Sequence, residues 1–199
     1  MIYVAHRINT IKQLKEVPAE YGVEVDIRDS NGRLIMVHDP LSKGEDFEKF
    51  LFYYSHKLII LNIKSERVEY KVLELLKKYQ IKNYFFLDCS FPMIYTLSEM
   101  GEKNIAARFS ELEPIENVLA IKDRIKWIWI DCFSKFPVDE KMYEIIKKTG
   151  LKTCLVSPEL QGKYVDIDEY VDFIKSRKMK FDAVCTKQKN IESWKERMR

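Results

Sequence analysis

The chain has 199 residues, 46% of them hydrophobic, with no Ser-, Gly- or Pro-rich divider, so residues 1–199 read as a single domain with one core. Lysine plus arginine total 34 against 31 for aspartate plus glutamate, and a scattered net charge of +3 gives no support to a nucleic-acid partner. Cys89, Cys132, Cys154 and Cys185 are widely spaced and mostly set in apolar runs, the pattern of buried thiols and not of a disulfide framework or a zinc site. The start, MIYVAHRINT, has no signal-peptide character and no apolar run reaches membrane-spanning length, so a cytoplasmic protein without a transmembrane segment is expected.

In chain order, IYVAHR (2–7) is the first strand candidate and ends in His6 and Arg7. VEVDIR (23–28) is the second. It is followed by Asp29-Ser30-Asn31-Gly32 and the run RLIMVH (33–38), and Asn-Gly between two such runs signals a tight hairpin that carries His38 back beside the second strand. FEKFLFYY (47–54) reads as an aromatic outer helix and a candidate homodimer contact. LIILNIK (58–64) is the next strand. ERVEYKVLELLKKYQ (66–80) follows as a helix with an apolar stripe of Val68, Val72, Leu73, Leu75 and Leu76.

Strand candidates then recur at 84–90, 104–109, 127–133, 152–157 and 182–187, interleaved with helical patterns at 114–125, 140–150 and 168–178, the second of these closing on Gly150. Eight strand–helix repeats predict an α/β fold, a compact (β/α)8 TIM barrel with a β-hairpin after strand 2, in preference to an open doubly wound sheet. His6, Asp26, Lys64, Asp88, Ser90 and Asp131 all fall at carboxyl ends of strands, which a barrel gathers at one mouth.

Alternation along the second strand points Glu24 and Asp26 the same way. Two crowded carboxylates repel unless a cation lies between them, and a hard divalent ion, Mg²⁺ or Ca²⁺, takes such oxygen ligands. Asn62 and Lys64 share one phase on the third strand, an amide oxygen to complete a metal site and a cation for a phosphate oxygen. His6 and His38 then flank whatever the metal binds, one taking a proton and the other giving one. That equipment suits a small-molecule phosphodiester.

The strings AHR (5–7), EVDIRDSNGRLIMVHDP (24–40) and LNIK (61–64) resemble the glycerophosphodiester phosphodiesterase family of the phosphatidylinositol phospholipase C-like superfamily. Weaker echoes are DCSF (88–91) and FDAVCTKQKNIESW (181–194). The resemblance implies a metal-dependent phosphodiesterase on a TIM barrel, with His6 and His38 as the acid–base pair, Glu24 and Asp26 as metal ligands, and Arg7 and Lys64 on the phosphate. The chain departs from the family pattern in three places. Ile8 stands where the family has Gly and Asn62 where it has a third acidic ligand, with Asp88 the candidate to compensate. The segment after His38 is also short for the family's inserted subdomain. Two other readings follow from the departures: a catalytically silent barrel that binds a phosphorylated sugar or lipid head group, and a lyase that releases a cyclic phosphate. Ser90 and Arg108 are phased toward the mouth, where substrate contacts and structural hydrogen bonds are equally open readings, Glu159 is placed in a mouth loop to read a substrate polar group, Trp127 and Trp129 read as packing, and His56 as a solvated loop residue.

Overall fold

The computed structural model describes residues 1–161 and 167–199. The elements follow in the order β1 (Ile2–Ala5), α1 (Ile11–Glu16), β2 (Gly22–Ser30), β3 (Arg33–Met36), β4 (Glu45–Asp46), α2 (Phe47–Tyr53), β5 (Ile59–Ile63), α3 (Glu69–Lys78), β6 (Tyr84–Leu87) and α4 (Phe91–Glu99). The second half continues with β7 (Ala106–Phe109), α5 (Ile115–Ala120), β8 (Trp127–Ile130), α6 (Glu140–Thr149), β9 (Lys152–Val156), α7 (Ile167–Ser176), β10 (Ala183–Thr186) and α8 (Ile191–Arg197).

The sheet is mostly parallel. β1 pairs with β2 on one side and β10 on the other; β2 continues to β5 and β6, and β10 to β9, β8 and β7. Between β6 and β7 the described residues show one isolated parallel bridge, Phe86 opposite Ile105. The antiparallel pairs are β2 with β3 and β3 with β4. Ser30 lies opposite Arg33, and Asn31 and Gly32 both carry positive φ (52° and 75°), the backbone that a two-residue turn of this hand needs.

Strand side chains alternate between two apolar layers. Val4, Ile60, Phe85, Leu87, Ala106, Trp127, Trp129, Cys154, Val156, Ala183 and Cys185 form one cluster, in which Phe85 and Trp127 stack with centroids 4.6 Å apart. Small Ala and Cys side chains stand beside Trp and Phe in that layer. The opposite faces, among them Val23, Val25, Ile59, Leu61, Phe86, Ile128 and Val184, pack against the helices in the larger cluster. β2 contributes Glu24 and Asp26, not apolar residues, to the face its neighbours fill with Ile60 and Val4, and this break in the pattern locates the site.

Local chemistry explains the helices. Thr10 and Gln13 form a reciprocal capping box at α1, Asp46 and Asp139 cap α2 and α6, and Gly150 ends α6 with φ 70°. α3 is shorter than its periodicity suggested and buries Val72 and Leu76, with Leu73 and Leu75 half-covered. α4, absent from the sequence reading, starts at the Ser90 cap with Pro92 in its first turn and buries Met93, Ile94 and Leu97. In α2, Phe47, Phe50 and Leu51 are buried while Phe52 and Tyr53 face outward. No helix among the described residues is long and apolar enough to cross a membrane.

Candidate active site

Glu24 and Asp26 sit side by side on β2, both fully buried, with Asp26 directly opposite Asn62 of β5 in the parallel register. The turn after β1 wraps over them. Arg7, with φ 55°, donates its N–H to Glu24 Oε2 at 2.7 Å, and the Ile8 N–H reaches the Glu24 carbonyl at 2.8 Å. Ile8 itself is buried in the core, so the residue that stands in place of the family's Gly anchors this turn through packing. Asn62 Nδ2 donates to Glu24 Oε1 at 2.8 Å. Asn9 holds Asp26 twice, its Nδ2 donating to Oδ2 and its Oδ1 accepting the Asp26 N–H, each at 2.8 Å. Sequence reasoning missed Asn9. Its one signal was a short polar side chain three residues after His6.

Two oxygens in this cluster, Asp26 Oδ1 and Asn62 Oδ1, are buried without a hydrogen-bond partner. Burial pushes the Glu24 and Asp26 carboxyls above the usual range, only partly offset for Glu24 by Asn62 and the Arg7 N–H and, for Asp26, reinforced by Glu24 before Asn9 counters it. The nearest protein cation is Lys64, with Nζ 3.9 Å from Asp26 Oδ1. No group of three or more His, Cys, Asp or Glu side chains among the described residues is arranged for a metal; the cluster here combines two carboxylates with an amide.

Around it stand the expected histidines. His6 Nε2 lies 3.8 Å from Glu24 Oε2, and its imidazole is driven down to about 4 by burial first and the Arg7 charge second. The ring is therefore neutral at physiological pH. His38 Nδ1 lies 2.8 Å from Asp39 Oδ1 and its Nε2 lies 2.7 Å from Arg7 Nη2. A guanidinium only donates, so Nε2 carries the lone pair and Nδ1 the proton that points to Asp39. Arg28, unremarked in the sequence reading, ties this loop down: Nε and Nη2 donate to the His38 carbonyl at 3.1 and 2.7 Å, and Nη1 donates to the Lys64 carbonyl at 2.9 Å.

Asp88 was the sequence candidate for a replacement metal ligand. Here it accepts from two cations of the protein: Lys64 Nζ donates to Oδ2 at 3.0 Å, and Arg108 Nε and Nη2 donate to Oδ1 and Oδ2 at 2.6 and 3.2 Å. Burial opposes the charge on Asp88, but Arg108 and then Lys64 outweigh it and hold the carboxyl below the usual range. Its φ of 64° turns the chain sharply at the end of β6, a conformation Asp tolerates better than most residues. Arg108 also reaches Asp131 Oδ2 at 2.7 Å, and Asp131 accepts from Gln161 at 2.6 Å.

Other expectations end in structural roles. Ser90 caps α4, and Glu159 accepts from Thr186 Oγ1 at 2.5 Å and the Lys187 N–H at 3.1 Å. His56 is half-buried and tied to the backbone: its Nε2 lies 2.8 Å from the Val17 carbonyl oxygen and its Nδ1 is buried.

No family model matches the chain, and no curated protein does. Solved structures do. A structure named as glycerophosphoryl diester phosphodiesterase from Agrobacterium tumefaciens str. C58 superposes with a TM-score of 0.69 at 13% identity, over 100% of this chain and 99% of the other. One from Parabacteroides distasonis ATCC 8503 gives 0.66 at 10% identity, over 98% and 86%. A second from A. tumefaciens gives 0.65 at 13%, over 98% and 99%. Over its whole length, the chain has the α/β fold of the glycerophosphoryl diester phosphodiesterases.

Proposed function

We propose that this protein is a divalent-metal-dependent phosphodiesterase acting on a small glycerophosphodiester-like substrate, built on a closed (β/α)8 barrel with a hairpin after its second strand. Parallel pairing outward from β1 in both directions, with the Phe86–Ile105 bridge between the two ends, supports the closed barrel. The observation that carries the function is the buried Glu24–Asp26–Asn62 cluster, with two oxygens lacking partners, set among His6, Arg7, His38 and Lys64. Buried carboxylates with orphaned oxygens fit a hard cation, so Glu24, Asp26 and Asn62 are the residues that would hold Mg²⁺ or Ca²⁺. When bound, the ion supplies positive charge against the phosphoryl oxygens.

The remaining roles belong to side chains. Arg7 and Lys64 bind non-bridging phosphate oxygens. Binding there draws the Arg7 guanidinium from His38 Nε2 and frees that nitrogen. His6, neutral because it is buried, takes a proton of the attacking water at Nε2. Once free, His38 Nε2 takes up a proton from solvent and gives that proton to the departing alkoxide, while Nδ1 keeps its own proton toward Asp39. Asp88 is assigned to orienting Lys64 and Arg108, not to the metal.

Phosphorus NMR tests the reading directly. A glycerophosphodiester incubated with the protein and Mg²⁺ or Ca²⁺ should give a phosphomonoester, and EDTA should abolish the reaction. A cyclic phosphate as the final product would make the protein a lyase, while no turnover with any divalent ion would contradict the enzyme reading and favour a silent binding barrel.

A further inference from the structure

Among neighbouring parallel strands, β6 and β7 are joined in the described residues by an isolated bridge in place of a ladder. At the carboxyl end of β6 and along β7 lies a cavity of about 250 Å³, bounded by Asp88 and Arg108 on the side of the site, by Ala106, Ala107, Phe91 and Ile94 as apolar wall, and by Glu113 and Asn117 of the segment after β7. Ala106, Ala107 and Ile94 are buried walls, whereas Phe91 stands at the lip, 56% exposed. One residue of its lining borders the site: Asp88 accepts from Lys64 at 3.0 Å, and Lys64 lies 3.9 Å from Asp26.

We propose that this cavity is the subsite for an uncharged alkyl alcohol esterified to the phosphate, so that the substrate carries an apolar group of about six carbons at the β6–β7 seam. This deepens, and rests on, the phosphodiesterase reading. Two features select the occupant. The charges at the cavity are already engaged: Asp88 by Arg108 and Lys64, Arg108 also by Asp131, and Glu113 by the Ser110 hydroxyl at 2.9 Å. An ionic group would have to displace one of these partners. The small side chain of Ala107, on the helix-packed face of β7, and those of Ile94 and Phe91 leave apolar wall with space before it, room for roughly eight water-sized groups at about 30 Å³ each.

The test compares hydrolysis of the methyl, n-hexyl and choline esters of glycerol 3-phosphate by wild type, Ala107→Leu and Phe91→Ala. Wild type should favour the hexyl ester over the methyl ester by about tenfold or more in kcat/KM. That ratio, not the absolute rate, should fall toward unity when Leu fills the cavity, and fall in part when the exposed lip is removed. Phe91→Ala guards against a folding defect in the first variant. Equal use of methyl and hexyl esters, preference for the choline ester, or a ratio unchanged in both variants would overturn the subsite. If no ester is hydrolysed, the phosphodiesterase reading fails separately, and calorimetry with n-hexyl phosphate against methyl phosphate decides the subsite: tighter hexyl binding lost in Ala107→Leu upholds it, and equal binding overturns it.

Discussion

Arg28 neither carries a proton in the reaction nor faces the phosphate, yet its guanidinium spans the His38 and Lys64 carbonyls. It sets the separation of two groups that belong to different strands. Arg28→Met should lower kcat by about tenfold or more with a smaller change in KM, because displaced reacting groups are costly to rate. Arg28→Lys should recover only part, since an ammonium lacks the planar fork. Unchanged kcat in Arg28→Met would remove this role. Asp26 gives a second test at this scale. Burial raises the folded-state values of Asp26 and Glu24. Their contribution to stability in the metal-free protein is therefore full below the unfolded values of about 4 and is lost as pH rises through the raised ones. Metal-free Asp26→Asn should thus gain in Tm relative to wild type as pH rises from about 4 to 7. Saturating Mg²⁺ or Ca²⁺ should raise wild-type Tm by about 5–10 °C at neutral pH and leave Asp26→Asn nearly unmoved. A Tm difference between Asp26→Asn and wild type that does not rise with pH, or no metal response in wild type, would contradict the site. Of these residues, Glu24, Asp26 and Asn62 were legible because strand alternation fixes their common face. Asn9 and Arg28 were not, since each acts on a partner 10 or more residues away through a turn geometry that no periodicity encodes.

The elements that position the histidines are turns, and two glycines decide them. At Gly32 the φ of 75° completes the tight connection of β2 to β3. At Gly44 an added Cβ would run into the Met36 carbonyl, so only Gly lets the loop from 37 to 44, which bears His38, close against β3. Gly44→Ala should cost about 1–3 kcal/mol by overpacking and lower turnover beyond what the lost stability explains, read by denaturant titration beside kcat. Wild-type stability and rate in that variant would show that the loop moves aside freely. The Asn-Gly turn was plain in the sequence, because its residue types follow directly from positive φ. The need for Gly44 was hidden, because it comes from a close approach to β3 and not from a local preference. The helix α4 was overlooked for a related reason: Pro92 looks like a breaker until the Ser90 cap places it in the first turn.

Across the whole molecule, a mostly parallel sheet brings strand ends from distant parts of the chain onto one rim. His6, Glu24, Asp26, Asn62 and Lys64 meet there through the pairing of β1, β2 and β5. The ring of counter-charges Lys64–Asp88–Arg108–Asp131 continues across β6, β7 and β8. The count of strand–helix repeats made the fold class readable, and the short motifs made the first half of the rim readable. The second half was not, because Asp88, Arg108 and Asp131 find one another across strands about twenty residues apart, where the sequence offers only three unconnected strand-end charges. The proposed mechanism has two histidines and a carboxylate–amide cation site at this rim hydrolyse a phosphodiester. The most direct measurement is the rate of phosphomonoester release from a glycerophosphodiester in saturating Mg²⁺ or Ca²⁺ for wild type and His38→Ala, with unchanged thermal unfolding as the control for folding. Metal-dependent turnover is expected in wild type, with a loss of roughly 10² or more in the variant. Wild-type turnover in His38→Ala would contradict the mechanism.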